Sequence, residues 1–230
     1  MEERIRIFST KKLRASLAEA LERRDDMSLE EADFICITPI LPDEPVAISA
    51  DAAVVFTSSN AVKHAAAAFS HPEELLAGIF CLEGATMDAV ISTFGADRIK
   101  GTAAGAAGLA REIISRKSYR TVTFFCGRQR RDELPQLLLR SGIEVREVVV
   151  YATRPTPQHL AAIPHAVLFF SPSAVDSFFS LNELLPSVIC FAIGETTAAA
   201  IRQKAATNTI VTAARPLQEA MLEALINHFN

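Results

Sequence analysis

Cys190 to Ile201 reads CFAIGETTAAAI, and this stretch decides the fold. It opens as a short apolar run suited to a buried strand. Gly194 breaks the run, Thr196 and Thr197 follow, and Ala198-Ala199-Ala200 continues as a good helix former. Glycine permits a sharp turn, and threonine at a helix start accepts from free N–H groups of the first turn. A strand that turns into a helix in this way leaves N–H groups and partial positive charge at its end, which suits an anion. A single copy would be read as an ordinary α/β crossover.

The pattern occurs twice. Ile79 to Val90 reads IFCLEGATMDAV, with Gly84 and Thr86 in the places of Gly194 and Thr196. Ahead of each copy stands a second matched pair, VVFTSSNAV at 54–62 and VLFFSPSAV at 167–175. The two motifs keep the same order and nearly the same spacing. Two similar α/β units are therefore expected, each offering two helix starts at strand ends.

Composition sets the outer bounds. The chain has 230 residues, half of them hydrophobic, with a net charge of −4 and a mean hydropathy of +0.22. That suffices for a packed core and argues against disorder and against a nucleic-acid-binding surface. Cys36, Cys81, Cys126 and Cys190 form no C-x-x-C, and the five histidines form no H-x-x-x-H. The cysteines read as small core residues of a reducing compartment, not as disulfides or metal ligands. The start, MEERIRIF, lacks an apolar signal region, and no run reaches the ~18 apolar residues of a membrane span. A cytoplasmic protein with no metal and no membrane association is expected.

Strands are expected at Arg4–Ser9, 34–40, Val54–Phe56, Ile79–Leu82, Thr121–Phe125 and Glu144–Thr153. Leu13, Leu17 and Leu21 mark a helix. Further helices are expected over Ala61 to about Phe69, from Gly84 to Phe94, over Leu109–Ser115, and from Arg131 to Arg140 ahead of Gly142. Gly101–Gly108 reads as small and flexible, and Ser49–Ala52 as a short helix or turn. Two proline-bearing extended stretches, near Pro39–Pro45 and Pro155–Pro157, bracket one complete α/β unit. Residues 1–38 with 154–230 are expected to form a discontinuous domain, with 39–153 inserted and two antiparallel linker strands between them. The competing division, a single cut near Pro155, leaves the second unit short of strands.

Taken together, these residues resemble the uroporphyrinogen-III synthase family. The resemblance rests on Phe56-Thr57-Ser58-Ser59-Asn60-Ala61-Val62, on the Gly84 and Gly194 turns, and on Gly127 followed by Arg131-Asp132-Glu133-Leu134. It rests also on Tyr151 in VVVYATRP and on FFSPSAV at 169–175. Where the family commonly has Thr-Arg-Pro after the first strand, this chain has Thr10-Lys11-Lys12; lysine keeps the charge but loses the bidentate fork. Thr86 lies two after Gly84 but three after Glu83, whereas Thr197 lies three after Gly194.

The resemblance implies two Rossmann-like α/β domains, one inserted in the other, joined by a two-stranded linker with a cleft between them. It implies an enzyme that closes hydroxymethylbilane, a linear tetrapyrrole with eight carboxylates, into uroporphyrinogen III. The last pyrrole inverts, water leaves and no cofactor takes part. A monomer with no nucleic-acid partner is expected.

Donors for the polyanion would be Thr10, Lys11, Thr57, Ser58, Ser59, Asn60, Thr86, Gly127, Arg128, Ser171, Ser173, Gly194, Thr196 and Thr197, with Lys12 and Lys63 adding charge. For Ser58, Ser173 and Thr197 the plainer reading is N-capping; for the lysines it is a solvated surface. Tyr151 is the candidate to protonate the departing hydroxyl, against a plain packed linker tyrosine. Two other functions fit the architecture: a hinged small-molecule sensor and another phosphate-handling α/β enzyme. Neither G-x-G-x-x-G nor G-x-x-x-x-G-K-[ST] occurs to support the second.

Overall fold

Ala166–Phe169 carries no polar side chain because both faces of its strand are covered. This is the pattern of a central parallel strand, where helices pack on each side. A computed structural model describes residues 4–44, 46–49, 52–66 and 77–230. The chain divides into two compact units, Met1–Cys36 with Arg154–Asn230, and Ile37–Thr153.

The first unit is a five-stranded parallel sheet. Its strands are β1 (Ile5–Ser9), β2 (Met27–Glu31), β9 (Ala166–Phe169), β10 (Ile189–Ala192) and β11 (Ile210–Thr212), in the order β11-β10-β9-β1-β2. The helices are α1 (Ala15–Glu22), α6 (Pro172–Phe179), α7 (Glu195–Lys204) and α8 (Gln218–Phe229). Successive side chains alternate between faces, so Val167 and Phe169 join Phe178, Ala198 and Ile201. Ala166 and Leu168 join Leu21, Met221 and Leu225 on the other side. Phe178 is the hub of its layer, with ring centroids 5.2 Å from Phe169, 5.3 Å from Phe34 and 6.4 Å from Phe8.

The second unit contains β3 (Ile35–Pro39), β4 (Ala53–Phe56), β5 (Gly78–Leu82), β6 (Ile99–Ala103), β7 (Thr121–Gly127) and β8 (Glu144–Pro155), in the order β3-β8-β7-β4-β5-β6. The run from β8 to β6 is parallel. Its helices are α2 (Ser59–Ala65), α3 (Ala85–Phe94), α4 (Ala106–Arg116) and α5 (Glu133–Arg140). Val54, Phe56, Ile79 and Phe125 pack under Val62 and Val90 on one face. Val55, Phe80 and Phe124 meet Leu109, Ile113 and Leu138 on the other. Phe56 stacks between Phe94 and Phe125, at 5.8 and 5.4 Å.

The chain passes between the units in β3 and again in β8. The Thr156 N–H donates to the Phe34 carbonyl (2.9 Å), and the Ile40 N–H donates to that of Val150 (2.9 Å). Rising numbers on β3 therefore meet falling numbers on β8.

Several expectations need correction. Gly101–Gly108 is not a flexible segment: β6 runs through Gly101, and α4 begins at Ala106 and contains Gly108. A Cβ on Gly101 would fall 2.9 Å from the Phe80 ring, so this glycine admits a close approach. β2, which the sequence pattern does not announce, forms the outer strand beside β1. α2 begins at Ser59; residues 67–76, where its expected end falls, lie outside the described residues. Pro45 and two residues of the expected 49–52 turn also lie outside them, though the Ala52 N–H does donate to the Ser49 carbonyl (3.0 Å). α5 starts at Glu133, and Gly142 closes it at φ +79°, with the Ile143 N–H on the Leu138 carbonyl (3.1 Å).

Three cysteines are core residues, but Cys36 is exposed on β3. Burial pushes the thiols of Cys81 and Cys126 up to about 11 and that of Cys190 to about 12. The reactive species is the thiolate, so a chromogenic thiol reagent at pH 8 is expected to label one cysteine quickly in the native chain and all four after denaturation. Rapid native labelling of two or more thiols would contradict the described packing.

Candidate active site

The carboxyl ends of parallel strands gather the chemistry of each unit. In the second unit, β8, β7 and β4 lie side by side, so the ends of all three meet. Ser58 follows β4 and caps α2, its Oγ accepting from the Asn60 N–H (3.1 Å). The Tyr151 hydroxyl, from β8, donates to the same Ser58 Oγ (3.2 Å). Gly127 lies on β7 between them in the sheet order. A Cβ there would fall 2.5 Å from Tyr151 Cζ and 2.9 Å from its oxygen. The glycine thus leaves the space the phenol occupies.

The β7–β8 register shifts between Cys126 and Gly127, which aligns Gly127 with Tyr151. The loop beyond is fastened to β8 at three successive residues. The Arg128 N–H donates to the Tyr151 carbonyl (2.8 Å). The Gln129 amide both donates to the Thr153 carbonyl and accepts from the Thr153 N–H, each at 3.2 Å. Arg130 grips Glu147 with Nε (2.7 Å) and Nη2 (2.5 Å) and also holds Asp132, the N-cap residue of α5. Arg131-Asp132 is therefore a helix-start pair whose acid is committed to Arg130. Arg128 keeps an exposed guanidinium without an ion-pair partner among the described residues. The His64 ring lies 6.2 Å from that of Tyr151. Cys126, with its thiol raised chiefly by burial, is not a nucleophile here.

The other calls in this unit fall at the ends of β4 and β5. Thr57 is half-buried, and Ser59 and Asn60 open α2. Gly84 starts α3 at φ +73°, and Thr86 is 7% exposed in its first turn.

In the first unit, Thr10 is buried beyond β1. Its hydroxyl and N–H both donate to the Leu168 carbonyl, at 2.8 and 3.0 Å. Its side chain ties β1 to β9 and leaves Lys11 exposed at the turn, where the Ser9 hydroxyl holds the Lys11 carbonyl (2.5 Å). Ser171 caps α6, accepting from the Ala174 N–H (3.1 Å), so Ser173 is not the cap. Gly194 starts α7, Thr196 is exposed, and Thr197 is buried at 3% with no capping bond. Gly84 and Gly194 are the N-cap residues of their helices, so Thr86 and Thr196 take the same second helical position, although Thr86 shares its burial with Thr197. Thr10, Thr86 and Thr197 are packed residues, whereas Lys11, Ser58, Arg128 and Tyr151 keep polar groups within reach of solvent.

Sequence patterns overlooked Gln129 and His64. An alternating apolar strand gives no sign of an amide used as an extra ladder rung, and one histidine five residues past the helix-opening Ser59 has no partner visible in sequence. No group of His, Cys, Asp and Glu suited to a metal occurs among the described residues, and no helix among them is long and apolar enough to cross a membrane.

The parallel α/β units gather hydroxyls, glycines and a tyrosine at their strand ends, the place where open α/β sheets as a class take small ligands. The chain belongs to the uroporphyrinogen-III synthase family: the family model described as "Uroporphyrinogen-III synthase HemD" matches residues 15–223. Membership places it among the enzymes of porphyrin biosynthesis. Its fold is similar to that of the uroporphyrinogen-III synthetase from Helicobacter pylori, with TM-score 0.66, 18% identity, and 98% of this chain and 100% of that one covered. A mutant uroporphyrinogen III synthase from the extremely thermophilic bacterium Thermus thermophilus is similar at TM-score 0.61 and 12% identity, with 98% of each chain covered. No curated protein matches the sequence.

Proposed function

We propose that this enzyme is a cyclising lyase that converts hydroxymethylbilane into uroporphyrinogen III, inverting the last pyrrole and releasing water. The observation that carries the reading is the Tyr151 hydroxyl on Ser58, seated over Gly127 at adjoining strand ends. A departing hydroxyl needs a proton, and a phenol at a strand end can supply it. Lys11, Arg128 and the N–H groups beside Thr57–Asn60, Gly84–Thr86, Ser171–Ser173 and Gly194–Thr197 are donors suited to the substrate's carboxylates. Thr10 acts by holding the Lys11 turn. Holding the flexible substrate so that the correct ends meet supplies much of the catalysis, because orientation replaces a search through many conformations. The reaction proceeds in a cytoplasmic monomer without a cofactor, with 39–153 as an inserted domain.

Turnover separates this reading from a sensor of the same architecture. With freshly generated hydroxymethylbilane in large excess, its rate of loss above the spontaneous rate is expected to rise linearly with protein. Loss of only one equivalent per chain, or none, would rule out an enzyme acting on this substrate.

Tyr151→Phe is expected to lower kcat by roughly tenfold to a hundredfold, at or below the low end of general acid catalysis, because the substrate also loses water unaided. The type I isomer should rise as spontaneous closure competes. A wild-type rate and isomer ratio in this variant would make the tyrosine structural.

A further inference from the structure

We propose that Ser58 is the group that hands the proton to the departing hydroxyl, with Tyr151 behind it as the supply. This rests on the functional reading above and changes which atom meets the substrate. A hydroxyl has one proton and two lone pairs. The Ser58 Oγ accepts from the Asn60 N–H at 3.1 Å and from the Tyr151 hydroxyl at 3.2 Å. Both lone pairs are occupied, so its proton is directed away from both partners. The Tyr151 proton, in contrast, is already committed to Ser58. Direct donation by the phenol would require breaking that bond, whereas donation through Ser58 uses it.

The surroundings hold the pair in this arrangement. The Asn60 bond fixes Ser58 as the α2 cap. The phenol is held over Gly127, where no side chain competes for its place, and the Tyr151 carbonyl is held by the Arg128 N–H (2.8 Å). Ser58 and Tyr151 are both half-buried, so the chain of hydroxyls ends at solvent and not in the core.

The step balances. As the carbon–oxygen bond breaks, Ser58 Oγ–H gives its proton to the leaving oxygen, which departs as water. The Tyr151 O–H proton moves to Ser58 Oγ. The pyrrole carbon that makes the new carbon–carbon bond loses a proton, which restores the phenol, and no oxidant or reductant is needed.

Series action predicts non-additivity. Ser58→Ala, Tyr151→Phe and the double variant are compared by kcat on hydroxymethylbilane. Each single change is expected to lower kcat by about tenfold or more, and the double variant to fall no further than the slower single. Because Ser58 also caps a helix, Ser58→Asn is included: asparagine caps as well as serine but carries no transferable proton. It should keep the wild-type melting temperature and show the low kcat of Ser58→Ala, while Ser58→Thr restores the rate. Wild-type kcat in Ser58→Asn, or a double variant slowed by the product of the two single effects, would overturn the relay and leave the function standing. A wild-type chain that does not hasten hydroxymethylbilane loss would overturn both.

Discussion

Gly127→Ala is expected to lower turnover at least as far as Tyr151→Phe, roughly tenfold to a hundredfold, while leaving the fold in place. The new methyl would stand 2.5 Å from Tyr151 Cζ and 2.7 Å from Cε2, well inside contact distance. What it meets is the outer end of a side chain and not backbone, so the ring moves and the strand stays. Moving the ring breaks the bond to Ser58 and removes the phenol from its place between β7 and the solvent. Stability should change by no more than ~1 kcal/mol, since the ring is only half-buried and alanine suits a strand at least as well as glycine. Kinetics and circular dichroism on one preparation check both halves. Wild-type kcat with an intact fold would show that the phenol's position does not matter to the reaction.

Phe178→Ala is expected to have the largest effect on stability, about 3–5 kcal/mol. Phe178 is fully buried, and its ring meets Phe8, Phe34, Phe169 and Phe179. These come from β1, the segment before β3, β9 and α6 itself, so the ring joins the early and late parts of the first unit. Domains hold only ~5–15 kcal/mol in reserve, so the loss would take much of that unit's margin. Denaturant unfolding followed by a probe in the first unit measures it. A midpoint that hardly moves would mean that the neighbouring rings close the cavity.

The sequence makes the inner strands plain and two of the outer ones obscure, for a physical reason. Val54–Phe56 and Val167–Phe169 are covered on both faces and so read as unbroken apolar runs. β2 (MSLEE) and β6 (IKGTA) are the outermost strands of their sheets, with one neighbour each. They carry Glu, Lys and Gly because one edge meets solvent, and such residues hide a strand from any test of hydrophobic pattern. GTAAGAAG reads as a loop because Gly101 makes room for Phe80 and Gly108 sits inside a helix.

The site is legible in sequence as a set of strand-end residues and illegible as an arrangement. Tyr151 and Ser58 are 93 residues apart in sequence. Only the order β8-β7-β4 brings them together, and periodicity does not give strand order. Gly127 reads as a turn glycine; its lack of a side chain matters because a phenol lies against it. Ser171 and Ser173 are equally good caps on paper, and the start of α6 at Pro172 decides for Ser171. Thr86 and Thr197 resemble exposed donors, but each turns its side chain to the core in the first helical turn.

The isomer composition of the product tests the function most directly. Hydroxymethylbilane left alone closes to the type I macrocycle, and only a protein that inverts the last pyrrole gives type III. When the purified chain is mixed with hydroxymethylbilane as it is generated, and the products are oxidised and separated by chromatography, uroporphyrin III is expected to predominate. Uroporphyrin I alone, in the amount formed without protein, would contradict the assignment.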